Sequence, residues 1–96
     1  MISFTLGEIA GITGGRYSGL KELLDRRIQD ATIDSRTVQS GCLFVPIVGE
    51  RFDGHDFIPQ AIDKGAIAVL AENEKSYTCP VIYVDSTIKA LLAMAK

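Results

Sequence analysis

Two short polar clusters combine residue types that could do chemistry. Asp34-Ser35-Arg36-Thr37 follows Ala31-Thr32-Ile33, and Gly49-Glu50-Arg51-Phe52-Asp53-Gly54-His55-Asp56 follows the apolar run Cys42-Leu43-Phe44-Val45-Pro46-Ile47-Val48. Each cluster holds a cation, a small hydroxyl or glycine, and an acid. An arginine fork matches phosphate oxygens, glycine lets a ligand approach the backbone, and Phe52 offers a ring on which a base can stack. A second reading stands beside this one. An Asp-Ser-Arg turn can satisfy itself, with Asp34 pairing Arg36, and Gly54 before His55-Asp56 can be an ordinary loop-to-helix junction. His55, the sole histidine, has the type of a general base. Spacing identifies neither a nucleophile for it nor an orienting carboxylate, so a loop-anchoring role is favoured.

Several chemistries are missing. The chain has no GxxxxGK[ST] phosphate loop, and Gly14-Gly15 does not extend to GxGxxG. Cys42 and Cys79 form no CxxC and have no histidine near them, so a zinc site is excluded and both read as small packing residues. The motifs thus describe a ligand-binding or scaffold domain with no catalytic residue and no metal.

Composition bounds the partners. The 96 residues are 47% hydrophobic and 23% charged, as in a folded domain. Ten Lys plus Arg against twelve Asp plus Glu give a net charge of -2. That balance leaves no basic footprint for nucleic acid. No apolar stretch approaches the ~20 residues of a membrane span, and the first ten residues lack the charged start of a signal peptide. A soluble cytoplasmic protein is expected.

The clusters need elements to hold them. Thr5-Leu6-Gly7-Glu8 has the form of a capping box opening a helix with Leu6, Ile9 and Ala10 on its apolar side, closed by Gly14-Gly15. Arg16-Tyr17-Ser18 is a candidate brief strand, and residues 19–29 read as a solvated connection. Residues 31–33, 42–48, 66–71 and 81–84 are expected strands, with Pro46 marking a bulge or an edge. Asp56 is expected to cap a helix with Phe57, Ile58, Ala61 and Ile62 on its apolar face, stopped by Gly65. A polar turn spans residues 72–78. Asp85-Ser86 would cap a last helix with Ile88, Leu91, Leu92 and Ala95 on its buried side. The order predicts an α/β fold, a small mixed sheet flanked by helices, with parallel pairing in the unit from Leu43 to Ala71. Both clusters would then sit at strand ends, where open α/β sheets bind ligands.

Asp34-Ser35-Arg36, Gly41-Cys42-Leu43-Phe44-Val45, residues 49–58, Ala61 and Gly65-Ala66 together resemble the N-terminal domain of the Mur ligases. With Leu6-x-Glu8-Ile9-Ala10-x-x-Thr13-Gly14-Gly15 upstream, the chain is most similar to the type that adds D-alanyl-D-alanine to UDP-N-acetylmuramoyl-tripeptide. The resemblance implies a part in an ATP-dependent, cytoplasmic ligase of peptidoglycan precursor synthesis. In that family the N-terminal domain holds the uridine diphosphate end of the UDP-N-acetylmuramoyl-peptide. ATP and Mg2+ belong to a central domain that this chain lacks, and a C-terminal domain helps hold the incoming amine. The tripeptide carboxylate becomes an acyl phosphate, which the amine of D-alanyl-D-alanine then attacks. By matching positions, Ser35 would contact the nucleotide, with Arg36 beside it. Gly49, Glu50, Arg51, Phe52, Asp53 and Gly54 would line the uracil pocket, and Asp34 and His55 would anchor the loops. No catalytic residue and no cofactor site carries over, so residues 1–96 are expected to be one inactive fragment of a larger ligase. The last helix, amphipathic through Ala95-Lys96 without a stop signal, agrees with that expectation. Val48, where this type often has lysine, departs from the pattern and keeps the sister ligase that adds the third amino acid as an alternative, beside a non-catalytic interaction domain of the same fold. Pro46 departs as well and would alter the pocket wall.

Overall fold

In the computed structural model, which describes residues 4–73 and 75–95, five short strands form one sheet ordered β1-β5-β4-β3-β2. They are β1 (Arg16–Ser18), β2 (Ala31–Thr32), β3 (Leu43–Phe44), β4 (Ala68–Ala71) and β5 (Val81–Tyr83). β2, β3, β4 and β5 run parallel, and β1 pairs antiparallel with β5 at the edge. The mixed sheet and its parallel Leu43-to-Ala71 unit are as expected from sequence. Glu74 of the predicted turn and Lys96 of the last helix lie outside the described residues.

Alternation along the strands builds two cores. Leu43, Val45, Ala68, Leu70, Ile82 and Val84 face α1 (Leu6–Thr13) and α3 (Thr87–Met94). Phe44, Val69, Ala71 and Val81 face α2 (Ile58–Asp63). A continuous apolar run is what a strand covered on both faces requires.

Local chemistry sets the helix ends. Thr5 Oγ1 accepts from the Glu8 amide at 3.1 Å while Glu8 Oε1 accepts from the Thr5 amide at 2.8 Å, closing the predicted capping box. Those bonds hold the Glu8 carboxyl below its ordinary range. Gly14 ends α1 with φ of 67°, a left-handed position that favours glycine. Ser86 caps α3 by accepting from the Lys89 amide at 3.2 Å. Among the described residues, no helix is long and apolar enough to cross a membrane. Cys42 and Cys79 are free thiols, and burial pushes the Cys79 thiol up to about 11.

Three expectations are corrected. β2 stops at Thr32, leaving Ile33 exposed. The ladder of β3 covers two residues; Val45 and Pro46 are buried beyond it, but Val48 is exposed and bridges Asp53. The solvated connection expected at residues 19–29 is present and holds a 3-10 turn, Lys21–Asp25, with no buried residue, and Ile28 beyond the turn is buried. In α3 the buried side is Thr87, Ala90 and Met94, whereas Ile88 and Leu92 are 47% and 61% exposed. Small Ala90 suits the close approach of α3 to α1 and the sheet, where both helices share one core.

This face assignment has a direct check. Met94→Ala is expected to cost about 2–4 kcal/mol of unfolding free energy in urea titrations. Leu92→Ala should stay within about 0.5 kcal/mol of the parent. The reverse ranking would restore the face expected from sequence.

Candidate functional site

Parallel strands deliver their carboxyl ends to one edge of the sheet, and both polar clusters lie there. After β2 the chain turns through a 3-10 segment, Ser35–Thr37, capped by Asp34, whose Oδ1 accepts from the Arg36 amide at 2.9 Å. The Arg36 side chain folds back onto the same carboxylate, with Nε to Oδ1 at 3.0 Å and Nη2 to Oδ2 at 2.9 Å. These bonds from Arg36 hold the Asp34 carboxyl below its usual range and raise the guanidinium. The self-satisfying turn is therefore present. Arg36 nevertheless remains 82% exposed at its side chain. Ser35 is only 7% exposed, and its hydroxyl has no hydrogen-bond partner among the described residues.

After β3, residues 47–54 make a tight hairpin. Val48 bridges Asp53, the Gly49 amide donates to the Phe52 carbonyl at 2.7 Å, and the Gly54 amide donates to the Ile47 carbonyl at 2.8 Å. Gly54 is required by space: a Cβ there would stand 2.6 Å from the Ile47 nitrogen and 2.9 Å from Pro46 Cα. Asp53, not the expected Asp56, caps the following 3-10 turn, Gly54–Phe57, by accepting from the His55 amide at 2.9 Å. α2 starts one residue beyond that turn.

His55 anchors this loop. It is 7% exposed, and its Nδ1 lies 2.7 Å from Asp53 Oδ1. Its Nε2 accepts from the Glu72 amide at the end of β4, at 2.8 Å. An Nε2 that accepts cannot carry the proton, so Nδ1–H donates to Asp53. Bonds from the His55 amide and ring hold the Asp53 carboxyl below its ordinary range. Glu72 Oε2 in turn accepts from the Thr87 amide and hydroxyl at 2.8 and 3.1 Å.

Between these loops and α2 lies a cavity of about 580 Å³. Asp34, Ser35 and Arg36 line one side and Phe52 another, so the structure brings both clusters together. Gly49, Glu50, Arg51, Asp53 and Gly54 are not among its lining residues, although they shape the hairpin that carries Phe52. Ile33, Phe44, Ile47, Phe57 and Gln60 complete the lining and had no functional reading in the sequence. Phe52 and Phe57 stack at 5.6 Å between centroids with planes 27° apart. The spacing of Phe57 and Gln60 was the available signal, since residues three apart share a helix side. A flat apolar wall beside a hydroxyl, a carboxamide and an exposed guanidinium suits a planar polar ring carrying an anion.

The family model described as "Mur ligase family, catalytic domain" matches residues 27–93. The UDP-N-acetylmuramoyl-L-alanyl-D-glutamate–2,6-diaminopimelate ligase of Aquifex aeolicus is 47% identical over 75 residues, covering 78% of this chain and 15% of the relative. The UDP-N-acetylmuramoyl-tripeptide–D-alanyl-D-alanine ligase of Escherichia coli is 40% identical over 87 residues, covering 91% and 18%. A crystal structure of MurF from Acinetobacter baumannii superposes with a TM-score of 0.86 at 26% identity, over 96% of this chain and 20% of that one. This chain thus spans less than a fifth of the length of the two sequence relatives.

Two predictions come from the loop geometry. Gly54→Ala should lose about 1–3 kcal/mol by urea denaturation, because backbone rather than a flexible side chain occupies the Cβ position; an unchanged midpoint would contradict the close approach. For Asp53, a folded-state pKa below the ordinary 3.8 adds stability above that value and loses it as the pH falls through the depressed one. Thermal melts from neutral pH to pH 2 should show this decline, and Asp53→Asn should flatten it. Parallel curves for the two proteins would assign the decline elsewhere.

Proposed function

The chain belongs to the Mur ligase family, and from that premise we propose that residues 1–96 are the N-terminal domain that grips the uridine diphosphate end of a UDP-N-acetylmuramoyl-peptide. The observation that carries this reading is the shared cavity, where Ser35 and Arg36 meet Phe52 against an apolar floor. The uracil ring would lie against the Phe52 and Phe57 pair, and the Ser35 hydroxyl would bond the nucleotide. Arg36 has N–H groups beyond those Asp34 uses, and they would meet the diphosphate. Gly49, Glu50 and Arg51 form the exposed rim, while Asp53, Gly54 and His55 keep the hairpin in place.

The parent is proposed to be the cytoplasmic ligase that adds D-alanyl-D-alanine to the tripeptide precursor, with its central and C-terminal domains as partners. Two relatives named for that reaction align over 91% and 95% of the chain. The diaminopimelate-adding relative from Aquifex aeolicus aligns over 78% but at the higher identity of 47%, which favours the sister ligase as the second reading. From the family membership, ATP and Mg2+ are proposed to bind the central domain of the parent rather than this chain, which carries no phosphate loop.

Titrating the 15N-labelled chain with millimolar uridine diphosphate tests the site. Weak binding is expected, with chemical-shift changes at Ser35, Arg36, Phe52 and Phe57. Changes confined to the opposite surface around Ser18, Leu20 and Thr78, or none at all, would overturn the reading. The acceptor is tested in a protein of the relatives' length: amide formation with D-alanyl-D-alanine is expected, and with diaminopimelate alone would select the sister ligase.

A further inference from the structure

We propose that Gln60 hydrogen-bonds the edge of the base and so adds to the hold on the nucleotide in this cavity. This rests on the nucleotide-binding reading and adds a base-contacting residue to it. Of the polar side chains lining the cavity, Asp34 and Arg36 are already paired with each other. Ser35 and Gln60 are left, and neither side chain has a hydrogen-bond partner among the described residues. Gln60 lies three residues beyond Phe57, so the carboxamide and the ring project from the same side of the chain as it enters α2. Ser35 lies on the 3-10 turn across the cavity.

A base stacked on the Phe52 and Phe57 pair has its face covered by apolar carbon, and its polar edge then needs partners inside the cavity. A carboxamide supplies both an acceptor and donors. It can answer the neighbouring C=O and N–H of a uracil edge, or by rotating, the amino group and ring nitrogen of cytosine. A carboxylate cannot rotate into a donor. It can accept the outer N–H of the cytosine amino group, clear of the ring nitrogen, whereas the uracil N–H on that edge is flanked on both sides by carbonyl oxygens that repel a carboxylate.

Uridine and cytidine diphosphates are therefore compared by NMR titration of the parent chain, Gln60→Ala and Gln60→Glu. Gln60→Ala should weaken uridine diphosphate by about threefold to tenfold. Gln60→Glu should shift the affinity ratio about tenfold toward cytidine diphosphate. Its added charge repels both diphosphates alike and cancels from that ratio. Gln60 is exposed, so both variants should keep the fold, which their ligand-free spectra verify. An unchanged affinity in Gln60→Ala or an unchanged ratio in Gln60→Glu overturns this inference alone, provided both nucleotides still perturb Ser35 and Phe52. If uridine diphosphate perturbs nothing in the parent chain, the proposed function fails and this inference with it.

Discussion

His55 bridges the loop that follows β3 and the end of β4, and its imidazole is buried between them. Asp53 fixes the ring from one side and the Glu72 amide from the other. The Glu72 carboxylate then holds the first turn of α3 through Thr87, which is fully buried. One path of hydrogen bonds thus ties a loop, a strand end and a helix start across the carboxyl edge of the sheet. Phe52 precedes the first member of this path and Phe57 follows His55 by two residues, so the aromatic wall inherits its position from the imidazole. Without the ring, the Glu72 amide would lose its present partner, at a cost of about 0.5–1.5 kcal/mol for a part-buried hydrogen bond.

The two faces of the sheet do different work. α1 and α3 pack their apolar sides on Leu43, Leu70 and Ile82, and none of the cavity's lining residues comes from the buried part of that core. Phe44, on the other face, is shared between core and cavity floor. The cavity's back wall is therefore as rigid as the core, while its mouth is built from the exposed rings of Phe52 and Phe57. Such an arrangement favours stacking over deep enclosure. It also explains why Gly54 is confined: the hairpin must press on the Ile47 backbone for Phe52 to reach over the floor.

What the sequence made legible was local. The capping box at Thr5 and Glu8, the stop at Gly14 and the cap at Ser86 each depend on residues within one turn, and each stands where the pattern placed it. The strands were legible as apolar runs, but a run covered on both faces carries no mark of which residue faces which helix. In α3 apolar residues Ile88, Ala90, Leu91, Leu92 and Met94 spread over more than one side, and bulky Ile88 and Leu92 point outward because close helix packing accepts Ala90 instead. The cap at Asp53 was missed because Asp56 satisfies the same local rule, and the choice is made by His55. Contacts from His55 to Glu72 and from Glu72 to Thr87 span 17 and 15 residues, and no periodicity announces them.

The Asp34-Ser35-Arg36 turn admitted two readings, one structural and one ligand-binding, and the geometry makes them compatible. Asp34 engages Nε and one terminal nitrogen of Arg36, which fixes the guanidinium in one orientation rather than consuming it. A fixed arginine loses less side-chain freedom when it meets an anion than a free one does. The cost is charge: Asp34 neutralises much of what Arg36 offers, in a domain already carrying a formal charge of -2. Attraction for an anion at this exposed rim is therefore moderate and largely screened. In the proposed nucleotide complex, stacking on Phe52 and Phe57 and the two polar groups without a partner would carry more of the hold than the guanidinium. The base would then anchor the ligand ahead of its phosphates.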